Sequence, residues 1–171
     1  MFRVGEVVSY GATGVCTIEG IEVMSLSRAR SGKQEYYILR PIAAPTCVTY
    51  VPTANEVLTE KMRPVYTKQQ IDSLILSVKG EQMEWIEDTR RRTEAFSQVV
   101  SAGMSAGLLK LIACLYEEKQ SRNNSGRKFC ATDEKILSNA ERMVSEEFAY
   151  ALEIPQKQVS AYIAEKLGAN K

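Results

Sequence analysis

The chain has 171 residues, 44% hydrophobic and 25% charged, and its 22 Lys and Arg against 21 Asp and Glu leave a net charge of +1. That is the composition of a globular protein with no global basic field, so any nucleic-acid site must be local. There is no histidine, which argues against zinc chemistry and Ser-His-Asp catalysis, and no apolar run nears the roughly 18 residues of a membrane span.

The first third reads as strands. Residues 5–10 are a short β-branched run, and Gly11 to Gly14 form a turn with glycine at both ends. Residues 15–24 alternate in part, and the polar stretch 25–33 suits a hairpin loop. The strongest strand is Glu-Tyr-Tyr-Ile-Leu-Arg at 35–40, followed by Cys-Val-Thr-Tyr-Val at 47–51 and Pro52. Residues 62–66 could add a last strand, which Pro64 confines to an edge. Short strands at close spacing point to a small antiparallel barrel of SH3 or Tudor type, with a sandwich fragment as the alternative. Helices follow. Thr67 to Gln70 is a capping box opening a helix with Ile71, Leu74, Ile75 and Val78 on one face. A second helix is expected from about 83 to 101 and a third from about 105 to 120. A fourth is expected after Thr132 as N-cap, and a fifth opens at Pro155. The fold class is therefore α+β, with a barrel over 1–66 and a bundle of about five helices over 67–171.

The opening Met-Phe-Arg-Val-Gly-Glu-Val-Val lacks a signal peptide's apolar core. Cys16, Cys47, Cys114 and Cys130 contain no C-x-x-C pair and read as reduced thiols, so a cytoplasmic chain is expected. Neither phosphate-cradling glycine motif is present, and Glu117-Glu118 and Glu146-Glu147 read as solvated helix faces. No catalytic residue, metal site or cofactor is expected, so the chain reads as a binding protein. Two local basic clusters stand out. One is Arg90, Arg91 and Arg92; the other is Lys119, Arg122, Arg127 and Lys128, within residues 119–132 that hold no acidic side chain. Beside the first lies Trp85, the only tryptophan. Placed on a helix, Ile86, Thr93, Phe96, Val99 and Val100 form a core stripe, while Trp85 lines up with Asp88, Thr89 and Arg92 on a polar face. A ring there either packs under a neighbouring helix or serves as a contact. A ring beside phosphate-reaching arginines is suited to a base step in the minor groove.

Phe2-Arg-Val-Gly-Glu-Val-Val, Tyr10 to Gly14, Ile18-Glu-Gly-Ile-Glu22, Glu35-Tyr-Tyr-Ile-Leu39, Val51-Pro52 and Trp85-Ile-Glu occur in that order. So do Leu108 to Tyr116, Ala131 to Leu137 and Glu146-Glu-Phe148. Together they resemble the CarD/CdnL family of bacterial transcription regulators, whose first module is similar to the RNA-polymerase-interacting domain of the transcription-repair coupling factor. The resemblance implies a Tudor-like domain that binds the RNA polymerase β subunit by strand pairing, with Arg28, Tyr50, Val51 and Pro52 at the contact. It implies a helical domain that contacts promoter DNA, weakly and without sequence specificity alone, through Trp85, Arg90, Arg91, Arg92, Arg127 and Lys128. Trp85 would wedge into the minor groove at the upstream edge of the bubble and stabilise the open complex. A monomer without cofactor is implied. This chain has Tyr50 where well-studied members have an arginine. Glu87 and Asp88 stand where others have basic residues, and Glu134 stands where they have a lysine. The other reading is a protein-interaction adaptor that uses the barrel edge without touching DNA.

Overall fold

The computed structural model describes residues 2–25 and 32–168. The chain divides into two compact units, Met1–Val65 and Tyr66–Lys171. The first holds five antiparallel strands: β1 (Val7–Tyr10), β2 (Gly14–Met24), β3 (Gln34–Pro41), β4 (Thr49–Pro52) and β5 (Met62–Pro64), with a short helix α1 (Glu56–Thr59) before the last. Their order in the sheet is β4-β3-β2-β1-β5. The sheet is open, with β4 and β5 at its two edges, so the closed barrel expected from the strand spacing is not what the strand pairing gives. Pro64, which has no N–H to give a ladder, lies in edge strand β5, opposite Val8.

The sheet's core follows from the side-chain alternation. Val8, Cys16, Ile18, Tyr37, Leu39, Val51 and Met62 form one buried cluster, capped in part by Phe2, Tyr10, Ile21 and Leu58. Between Ile18 and Gly20 the β2–β3 register shifts. A bulge there bends the long strand, which is how a sheet curls without closing. Gly14 takes φ 87 at the start of β2, a conformation that costs a side-chain-bearing residue dearly.

The second unit is five helices: α2 (Lys68–Ser77), α3 (Thr89–Ala102), α4 (Ser105–Asn124), α5 (Ala131–Leu152) and α6 (Gln156–Leu167). The capping box at the start of α2 is present, with Thr67 accepting from the Gln70 N–H and Gln70 accepting from the Thr67 N–H. Gly103 ends α3 in the left-handed conformation. Ile71, Ile75, Phe96, Leu108, Leu111, Leu115, Leu137 and Phe148 are among the buried side chains that fuse the helices into one core. Asp72 of α2 binds Lys166 of α6 at 2.8 Å and also accepts from the Tyr162 hydroxyl. Inside the core, Ser105 donates to Glu147 at 2.9 Å, giving that buried carboxylate a partner.

Two helix starts differ from expectation. Helix α5 begins at Ala131 with Cys130 as N-cap, so Thr132 lies inside its first turn. Helix α3 begins at Thr89, six residues after the expected start, and its N-cap is Asp88, whose carboxylate accepts from the Arg91 N–H at 2.8 Å. Trp85 is consequently not on a helix: residues 81–86 carry no regular structure and lead into α3.

Candidate nucleic-acid interface

The residues before α3 are fixed from two sides. The Met83 N–H donates to the Lys110 carbonyl at 3.4 Å, and Lys110 pairs with Glu81. Further along, Arg92 reaches back from α3. Its Nη1 donates to the Ile86 carbonyl at 2.8 Å and to the Glu87 carbonyl at 3.1 Å. Its Nε and Nη2 grip the two carboxylate oxygens of Asp133 at 3.1 and 2.9 Å, and Nη2 also lies 3.5 Å from the Thr89 hydroxyl. A guanidinium has five N–H donors, and each has an acceptor here. Arg92 is 3% exposed and Asp133 0%.

This corrects the expectation for Arg92. Its charge is neutralised inside the protein and its donors are occupied, so it cannot also serve a phosphate. Face-counting contained the signal: Arg92 lies four residues before Phe96, hence on the buried side of α3. For its partner Asp133, local sequence chemistry offers only the role of a favourable charge at a helix N-terminus. Nothing in the sequence pairs it with a residue 41 positions away.

Trp85 sits against this assembly. It is half-buried and packs on the helical core, with its ring edge-on to Phe96 at 6.2 Å between centroids. Two guanidinium groups lie over the indole: Arg92 at 4.2 Å from the ring centroid and Arg122 at 5.6 Å. Such cation–π contacts contribute about 0.5–2 kcal/mol each, more as water is excluded. Arg122 is itself held by Glu118 one turn earlier on α4. The indole N–H is buried and meets no acceptor among the described residues. An unmet donor costs about 1–3 kcal/mol, a penalty phenylalanine would avoid. Packing alone is therefore a poor reason for tryptophan at this position.

Arg90 and Arg91 are exposed on the first turn of α3, and Arg127 and Lys128 are exposed in the segment between α4 and α5. These four cations are open to a phosphate backbone. Lys119 is paired with Glu134 at 2.8 Å and lies 5.9 Å from the Phe129 ring centroid. The Cys130 thiol, at the head of α5, is lowered by hydrogen bonds from the Thr132 and Asp133 backbone. Burial pushes the Cys114 thiol up to about 11.

On the strand unit, Tyr50 is 43% exposed on edge strand β4, and Pro52 is half-buried beside it. Val51 is fully buried in the sheet core. Its side chain cannot meet a partner, so Val51 has only its backbone to offer at that edge. Arg28 lies outside the described residues. Among the described residues no helix is long and apolar enough to cross a membrane, and no cluster of acidic or thiol groups could hold a metal ion.

No curated protein matches the chain. Residues 2–66 match the family model of the CarD-like/TRCF RID domain, a type of domain that marks transcription-related, RNA-polymerase-interacting proteins. The match covers the whole five-stranded sheet and ends at the junction with the helices, and it supports the resemblance of the strand unit to CarD-like proteins.

Proposed function

We propose that the protein is a non-enzymatic transcription regulator: the strand unit binds the RNA polymerase β subunit, and the helical unit stabilises the promoter open complex. The domain match over residues 2–66 carries the polymerase half of this reading. Edge strand β4 offers its free side to an added strand, and Tyr50 gives that edge an exposed aromatic anchor. For the DNA half, the support is a lone tryptophan with an unmet indole N–H, next to Arg90 and Arg91. Trp85 wedges into the minor groove at the upstream edge of the bubble and hinders its collapse. Arg90, Arg91, Arg127 and Lys128 reach the phosphates. Their small number makes DNA binding weak unless polymerase raises the local concentration.

Substituting Trp85 by alanine tests this. Open complexes should decay faster while polymerase binding stays intact; an unchanged lifetime refutes the wedge. A second reading has one observation behind it: Trp85 packs on Phe96 and the helical core. In that case the protein is an adaptor that binds polymerase alone. Photocrosslinking on a polymerase–promoter complex then gives products from the strand unit to protein and none from the helical unit to DNA.

A further inference from the structure

We infer that Arg92, anchored by Asp133, is the positioning residue for Trp85: it fixes the ring and the segment after it in one orientation for DNA. The inference rests on the wedge reading above and says how the wedge is aimed.

Trp85 precedes the helix, on a segment that has no backbone ladder to hold it. A bulky ring on such a segment would sample many rotamers, and each lost on binding weakens the contact. Arg92 removes that freedom with one group. Its Nη1 holds the carbonyls of Ile86 and Glu87, the two residues that follow the tryptophan. Its Cζ lies over the indole, 4.2 Å from the ring centroid. Its other edge is locked by the two-point contact with Asp133 on α5, the geometry in which arginine gains most from its fixed fork. Arg122, braced by Glu118, covers the ring from α4. The orientation of the ring is thus referred to α3, α4 and α5 together. Lysine at 92 would keep a charge near Asp133. It could not bond two carbonyls, grip both carboxylate oxygens and cover a ring at once.

The single tryptophan makes the test direct, because all indole fluorescence comes from Trp85. The full chain with Arg92→Lys is compared with wild type, with Lys157→Arg, exposed on α6 and outside the proposed interface, as a control. Circular dichroism checks the fold. The variant should show a red-shifted emission and a rise of roughly tenfold in the freely quenched population, the shift expected from losing a charge-assisted hydrogen bond. On polymerase–promoter complexes, its open-complex lifetime should drop most of the way to that of Trp85→Ala, with polymerase affinity unchanged. Should Arg92→Lys fail to fold, Asp133→Asn, which keeps the shape and loses the charge, carries the same two readings. A folded variant with native emission and quenching overturns the inference. So does freer quenching with a native lifetime where Trp85→Ala shortens it. If Trp85→Ala leaves the lifetime unchanged as well, the wedge reading itself has failed, which separates the two failures.

Discussion

Removing Asp133 should be among the most damaging single changes in the helical unit. In Asp133→Ala the Arg92 guanidinium, 3% exposed in the native chain, is left with its Nε–H and one Nη2–H facing the vacated space. Breaking one side of a buried ion pair costs about 3–5 kcal/mol, because the remaining charge is neither hydrated nor paired. Asp133 is also the third residue of α5, where a carboxylate adds about 0.3–1 kcal/mol against the helix dipole. A loss of about 4 kcal/mol is a large part of the roughly 5–15 kcal/mol that holds a domain folded. With a urea dependence of about 1.5 kcal/mol per molar, the midpoint falls by about 2–3 M. Helical circular dichroism reads this unit, since among the described residues the strand unit contributes only the four-residue α1 and a 3-10 turn at Gly11–Thr13. The double variant Arg92→Met with Asp133→Leu should recover most of the loss, as buried pairs replaced by apolar groups of similar volume commonly do. Its Trp85 should nonetheless remain freely quenched. A loss under about 1 kcal/mol in Asp133→Ala would show that the site is wet and the burial argument wrong. A double variant as unstable as the single would show that the pair itself, not the orphaned charge, carries the stability.

Three other outcomes are expected. Replacing Arg127 and Lys128 together by alanine should lower the slope of log binding constant against log salt for duplex DNA by about 0.9 per lost phosphate contact; an unchanged slope removes them from the interface. Lys166, and after it Tyr162, hold the Asp72 carboxyl below its ordinary value of 3.8, and Asp72 raises the Lys166 ammonium above 10.5. The carboxylate's contribution is present above its ordinary value and lost as pH falls through the depressed one; the ammonium's is present below 10.5 and lost as pH rises through the raised one. The gap in Tm between wild type and Asp72→Asn should then be widest near neutral pH and close in acid, and a gap that widens in acid would reverse the assignment. Last, mild alkylation followed by peptide mass mapping should modify Cys130 well ahead of Cys114, one thiol lowered by backbone N–H groups and the other buried and raised to about 11. Modification of Cys114 first would mean that α4 is not packed as described.

The sequence was most informative where one residue type has one local use. The Thr67–Gln70 box, the edge position of Pro64 and the helix-ending Gly103 all appear where their backbone chemistry requires. It was least informative about closure and about long-range pairing. Whether five short strands close depends on the pairing of β4 with β5, and no residue in either specifies that. The Arg92–Asp133 pair spans 41 positions, and an arginine in a run of three reads as surface charge until its own face is counted. The start of α3 was misplaced for a related reason. Hydrophobic period carried the helix back through Ile86, although Asp88 ahead of Thr89 is a start signal in its own right.

That misplacement changes what the two acidic residues after Trp85 mean. On a continuous helix, Glu87 and Asp88 would project beside the ring and repel phosphate where related proteins carry basic residues. In the structure Asp88 is the N-cap of α3, its carboxylate accepting the Arg91 N–H, while Glu87 presents its carbonyl to Arg92. Alanine at 88 would uncap the helix at a cost of about 1 kcal/mol and disturb the turn that brings Arg92 back under the tryptophan. Acidity at 88 is thus explained by the backbone it caps, and lysine there would lose the cap it replaced. On the proposed DNA contact, the charge available to phosphates is then displaced rather than missing. It falls on Arg90 and Arg91, which the same cap fixes in the first turn of α3, and on Arg127 and Lys128 ahead of α5.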